Sequence, residues 1–524
     1  MSMNEFNLKM QKFFRIDARK TCPSNEIKIG ITTAFISMFV ILSSVRLILK
    51  SSGYSENQLL IPLITIALLF SAITTFFGSI YSKLPLVFIS TIGFNFVITD
   101  RIIGALSLDW GVGLGVVVIE SILFCILSFT KIPFLFFSQL PAFLKKAAPL
   151  TIGGILIFFS LLSAKVISFK GAFEVTSLTF RSSPLILFSI GVIATYFLIK
   201  EKASLAYLQG FLLILLLGMI IPNFAQGTAF YLPIILLGVT FTAWMLLYSV
   251  LVDKYNKKSL EISLWLVMIV LLIIVFFNNP ADPIIAKPMQ WFGKLGIFSL
   301  PQFKEASSII GLPIVSLLEV FKNLQKLVIP IITLLVVHWL TYYSLIETMN
   351  HFLSFKKHDQ VDYFNKKATL TEGTMTLLGS VSGAGFYSSS LGSLFSILIG
   401  AKTALSSFVS SIFFLLFLFI IPGFSISFVT IVFAPILFLL GFKLVVEFFP
   451  SLEEKEIWLP LIAMLLVGTI FMNLYSAFFS GLVSYLFIKT STGKVNEITS
   501  FTWILIFVLF FWSFFRISIP FIVF

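Results

Sequence analysis

Apolar runs of about 20 residues, the length a bilayer-crossing helix needs, recur along the whole 524-residue chain, separated by short polar or basic stretches. The pattern predicts spans at 29–49, 58–80, 84–99, 111–130, 147–166, 183–199 and 204–222, then two further helices at 229–252 and 260–278. Residues 279–326 are more polar, with NNPADP, KPMQWFGK and SLPQFKEASS, and read as an extracytoplasmic excursion. A second series follows at 327–350, 368–383, 384–398, 401–421 and 427–449, then a tight pair over 457–488 and a last span at 501–524. The chain is expected to finish with that span, with no soluble regulatory domain behind it. The predicted class is an all-α polytopic membrane protein.

Two of these runs do not read as continuous helices. Leu377 to Thr403, LLGSVSGAGFYSSSLGSLFSILIGAKT, carries Gly379, Gly383, Gly385 and Gly392, and each glycine costs a helix about 1 kcal/mol against alanine. Ser388, Ser389 and Ser390 follow directly, and serine favours a helix start. The third run, LPLVFISTIGFNFVIT, is interrupted in a corresponding place. A broken segment must line a cavity or be covered by protein, since lipid satisfies no freed backbone group. The blocks 29–222 and 327–524 are nearly equal in length, each with its third span broken. This predicts two inverted seven-helix repeats with a site at their interface. The domains are then 1–28 as a cytoplasmic N-terminal segment, 29–222 and 327–524 as the repeats, and 223–326 as an inserted helix pair with its excursion.

Composition sharpens the class and excludes others. Hydrophobic residues make up 58% and charged residues 11%, with a mean hydropathy of +1.05, which no soluble chain of this size shows. The net charge of +13 is no nucleic-acid signature here. Lys9 to Lys20, Lys131 with Lys145 and Lys146, Lys254 to Lys258, and Lys356 to Lys367 all fall in short connections. There they set orientation, with the N-terminus cytoplasmic in a cell (inner or plasma) membrane. The charged opening MSMNEFNLKMQKFFRIDARK is no cleavable signal peptide. Cys22 and Cys125 suit neither a disulfide nor a metal site. The chain has no GxxxxGK[ST] loop, no Cys/His cluster and no GxSxG turn, so neither an enzyme nor a bound cofactor is expected.

With those segments in view, the chain resembles the nucleobase–cation symporters (the xanthine/uracil permease superfamily), and within them the AzgA-like purine permeases. FFRIDARKTCPSNEIKIGITTAF resembles the family's entry into its first helix. KLPLVFISTIGFNF with LDWGVGLGVVVIESILFCILSFTKI resembles its third and fourth helices. LLGSVSGAGFYSSSLGSLFSILIGAKTALSS and SAFFSGLVSYLFIKTSTGK resemble its tenth-to-eleventh region and penultimate hairpin. The resemblance implies a core and a gate domain, short strands of the broken third and tenth spans meeting mid-membrane, elevator-like alternating access, and a homodimer. The helices at 229–278 are extra to that pattern.

Polar groups within the spans are the functional candidates, because each costs a few kcal/mol at the bilayer centre. Asn95 matches the asparagine the family uses near its substrate; its amide suits a purine edge and equally a helix-bridging bond, while Phe94 beside it can stack on a planar base. Where the family carries two acids three positions apart, this chain has His338 and Thr341, followed by Tyr342. His338 is the one histidine of three inside a span, able to bind a base, carry a proton or simply bond a carbonyl. Where the family places an essential glutamate, a gapless correspondence puts Gly392, leaving Ser390 and Ser393 as nearby hydroxyls at a half-helix start that attracts anions or carbonyl oxygens. Glu120, mid-span, and Glu372, which matches a family acid, are with His338 the candidate proton sites. Asp100 and Arg101 read as neighbours that pair, Lys402 as an anchor for a helix start, and Lys443 with Glu447 as an intrahelical pair.

These features predict a secondary-active transporter of purine nucleobases of the hypoxanthine, guanine and adenine type. Its partners are a small-molecule substrate, the lipid bilayer and H+ or Na+ as a candidate coupling ion, with no nucleic acid. The alternatives are an anion carrier of the sulfate-permease type, to which the serine-rich half-helix and lost acids are suited, and a divergent member that no longer transports.

Overall fold

The computed structural model describes residues 11–52, 56–104, 106–132, 139–141, 143–164, 166–167, 183–201, 205–220, 309–353, 366–420, 426–449, 455–471 and 474–514. The first-half elements are α1 (Pro23–Ser52), α2 (Glu56–Ser82), β1 (Ile89–Ser90), α3 (Ile92–Val97), α4 (Trp110–Ser128), α5 (Phe143–Ser163), α6 (Ser183–Lys200) and α7 (Ala206–Ile220). Then come α8 (Leu312–Val315), α9 (Leu317–Lys322), α10 (Leu324–Leu353), α11 (Lys366–Val381), β2 (Tyr387–Ser388) and α12 (Ser390–Ile399). The remainder are α13 (Ala404–Ile420), α14 (Ile426–Phe448), α15 (Lys455–Phe471), α16 (Leu474–Ser491) and α17 (Ser500–Phe514). Among the described residues α1, α2, α4 and α10 are each long and apolar enough to cross a membrane, and α12 with α13 does so as a pair bent by 118°.

The chain divides into two compact units. The smaller gathers α6, α7 and most of α14; Ala164, Phe188 and Ala434 form its buried cluster, with Val192 and Phe438 packed on it. The larger holds α1 to α4 and α8 to α13, and at its centre the two interrupted segments cross.

β1 and β2 pair antiparallel, Ile89 opposite Ser388 and Ser90 opposite Tyr387. Two residues a side would be negligible alone, so side chains extend the crossing. Val87 N–H donates to Ser393 Oγ at 2.8 Å, Ser90 Oγ to the Ala384 carbonyl at 2.8 Å, and Thr91 N–H to the Phe386 carbonyl at 3.0 Å. The sequence makes this geometry available through glycine. Gly385 has φ +112°, and a Cβ there would lie 2.5 Å from Asn95 Nδ2. A Cβ on Gly392 would lie 2.6 Å from the Val87 carbonyl oxygen, so only glycine lets α12 start against the strand.

The sequence expectations need adjusting in two places. The first broken run continues past 99, because a π-helical turn, Ile98–Gly104, prolongs α3. Of the predicted excursion only 309–326 are described, and these are the helices α8, α9 and the start of α10 rather than open chain. Pro313 and Val320 are buried, and Ser316 and Val320 pack against Gly111 and Gly115, whose bare backbones make room for them on α4. Residues 229–278 lie outside the described residues, as do the side chains of Asp100 and Arg101.

Candidate functional site

Three helices each contribute one ionisable side chain to a single point beside the crossing. Glu120 comes from the middle of α4, His338 from the middle of α10 and Glu372 from α11, and each is 0% exposed. His338 Nδ1 lies 2.9 Å from Glu120 Oε1 and its Nε2 3.2 Å from Glu372 Oε1. With both carboxylates ionised the ring donates from both nitrogens as an imidazolium, and the cluster carries one net negative charge. Isolated charges here would be prohibitive; paired and hydrogen-bonded, they persist.

Glu372 reaches further than its partners. Its Oε1 accepts Ser389 N–H at 3.0 Å and its Oε2 accepts Ser389 Oγ–H at 2.5 Å. Ser389 is the N-cap of α12, so a carboxylate sits where the half-helix presents its partial positive charge. The neutral rim is aromatic. Phe94 and Phe386, one from each broken segment, stack at 4.2 Å and 12°. Their centroids lie 5.7 and 5.0 Å from the His338 ring, edge-on to it, and Phe124 covers the ring at 4.5 Å.

The other sequence-predicted residues fall close by in different roles. Asn95 is fully engaged within the protein: Nδ2 donates to Ser44 Oγ at 2.6 Å and Ser90 Oγ at 2.9 Å, and Oδ1 accepts Phe386 N–H at 2.6 Å. Thr341 returns its hydroxyl to the His338 carbonyl at 2.9 Å. Tyr342 is buried, bonded to Thr369 and edge-on to Phe124 at 6.1 Å. Ser390 Oγ lies 2.7 Å from Ser388 Oγ. Ser393 is spent on Val87 N–H, and Gly392 is a packing point.

One expected pairing is different in the structure. Lys443 and Glu447 do not pair within their helix. Lys443 Nζ donates to the Leu398 carbonyl at the end of α12 (2.6 Å), where it complements the partial negative charge of a helix C-terminus, and lies over the Phe352 ring at 5.5 Å. Glu447 instead meets His351 Nε2 at 2.7 Å. The start of α13 is anchored through the backbone of Lys402. Its N–H donates to Glu26 Oε1 at 3.1 Å, and Thr403 donates from N–H and Oγ to Glu26 Oε2 at 3.1 and 2.9 Å. Sequence reasoning passed over Glu26, Phe124 and Phe386. Phe386 alone had a local signal, standing next to the glycines that break the span.

Over 220 residues, 42% of its length, the chain is 29% identical to a protein of Methanocaldococcus jannaschii that bears the name permease, and the match covers 49% of that protein. Over 216 residues, 40% of its length, it is 28% identical to the guanine/hypoxanthine permease PbuG of Bacillus subtilis, again covering 49%. The chain thus spans about half the length of the curated relatives it matches. It is similar to permeases. With the apolar helices above, this makes it a multi-pass membrane protein. No family model matches. Among solved structures, the transmembrane domain of the cyanobacterium bicarbonate transporter BicA superposes with a TM-score of 0.42 at 14% identity, covering 90% of this chain and 97% of that one. SLC26A9 gives 0.42 at 12%, covering 94% and 70%. At that level of superposition the likeness bears on neither fold nor function.

Proposed function

We propose that the chain is a secondary-active transporter of purine nucleobases, a divergent AzgA-like member of the nucleobase–cation symporters. It works by elevator-like alternating access of two inverted seven-helix repeats, as a homodimer with its N-terminus cytoplasmic in the cell membrane. The observation that carries the reading is the buried Glu120–His338–Glu372 cluster against the Phe94–Phe386 stack, where the two broken segments cross. A purine offers a flat π-face and an edge of ring N–H, ring nitrogen and exocyclic oxygen or amine. Phe94 and Phe386 supply apolar faces for stacking; the carboxylates accept N–H groups, and the imidazole donates or accepts. Proton coupling runs through the same cluster, because two carboxylates and an imidazole exchange protons over two short bonds. Sodium is the other candidate coupling ion.

With both carboxylates ionised, the charge of the cluster weighs against the anion carrier. A solute anion about 4 Å from one carboxylate is repelled by about 4 kcal/mol at an effective dielectric of 20. A single imidazolium shared between two carboxylates does not offset that. The test is uptake of labelled hypoxanthine, guanine and adenine against sulfate and bicarbonate in a host lacking its own carriers. Saturable base uptake with no anion uptake is expected. Anion uptake in place of base uptake selects the other carrier, and the absence of both selects a protein that no longer transports.

A further inference from the structure

Glu372 has a relation to α12 that Glu120 lacks. Both carboxylates touch His338, but only Glu372 also takes the N–H and Oγ–H of the residue that opens the half-helix. A helix start needs no charge for its cap: serine, threonine or asparagine serve, and Ser389 already stands there with no cap bond of its own to the helix. Burying an ionised carboxylate where a neutral group would do is costly. Glu372 takes both donors of Ser389 that a ligand would meet at the start of α12.

We infer that Glu372 is the specificity-determining residue of this site: tethered to α11, its carboxyl group occupies the Ser389 donors at the N-terminal end of α12 and turns away free anions, while uncharged bases meet no such repulsion. The inference rests on reading the cluster as the ligand site. The solute class excluded comprises carboxylate-like and oxyanionic species, including the monoanionic purine urate. The class admitted is the neutral purines. Glu120, one imidazole further from α12, adds repulsion but leaves the helix end untouched.

The test uses the full-length protein, purified in detergent, and equilibrium binding of labelled hypoxanthine, urate and sulfate. Wild type is expected to bind hypoxanthine at least tenfold more tightly than urate and to bind no sulfate. In Glu372→Gln, which keeps an acceptor oxygen for Ser389, the preference for hypoxanthine over urate should fall at least tenfold and sulfate binding should appear. Glu372→Asp should stay closed to both anions. Wild-type protein that binds urate or sulfate as tightly as hypoxanthine overturns the inference without any variant, which covers the case of a Gln variant that fails to fold. A folded Gln variant that binds hypoxanthine yet gains no anion overturns it and leaves the nucleobase reading standing. Sulfate gained by the Gln variant with no hypoxanthine bound to either protein upholds the role of Glu372 and removes the nucleobase reading.

Discussion

The starts of α3 and α12 lie at opposite ends of the antiparallel strand crossing, and they are held by opposite chemistry. At α3 the described holding bonds are neutral: one amide, Asn95, reaches Ser44, Ser90 and the Phe386 N–H. At α12 the holder is a carboxylate, and behind it a chain of two more ionisable groups runs to Glu120. A neutral network keeps its bonds whatever the proton concentration. A charged one changes strength with every proton gained or lost, at a cost set by burial. Under the proposed function, the α12 side is the part of the crossing that answers to protons and ligand.

The comparison breaks most visibly at His338. His338→Ala leaves two buried carboxylates with no shared cation, and removing one partner of a buried ionic group costs about 3–5 kcal/mol. Denaturant unfolding in detergent should show that loss, and any surviving uptake should no longer follow pH as wild type does. Unchanged stability together with an unchanged pH profile would refute the division of labour drawn here. Next comes Asn95→Ala, which orphans the Phe386 N–H at a cost of about 1–3 kcal/mol, while Ser44 and Ser90 keep each other as partners. Its uptake should fall with the folded fraction while the pH profile keeps its shape; a displaced profile would put Asn95 on the titrating side. The smallest effect is expected for Ser44→Ala, which loses bonds to Asn95 and Ser90 worth about 1 kcal/mol each and is likewise without influence on pH dependence. Measuring it beside Asn95→Ala shows how much of the amide's contribution passes through α1.

Much of this was legible in the residues. The two broken runs announced themselves through Gly383, Gly385 and the serines, because glycine and serine are poor company for a continuous apolar helix. Glu120, His338 and Glu372 stood out singly, since an ionisable group inside an apolar run is expensive. Their union was not legible. Glu120 and His338 are 218 positions apart, and a hydrophobic pattern says which face of a helix is polar but not which helix it meets. Lys443 shows the converse error: four-residue spacing pointed to Glu447, yet a bare carbonyl at the end of α12 was the better partner for a half-buried ammonium. Asn95 was legible as a polar centre with two readings, and the fold supplies the bridging bonds.

Gly392 also has a historical consequence. A side chain at 392 and the present course of residues 87–90 compete for one volume, since any Cβ there would press on the Val87 carbonyl. Along any lineage that keeps this routing, an acid at 392 requires residues 87–90 to move as well.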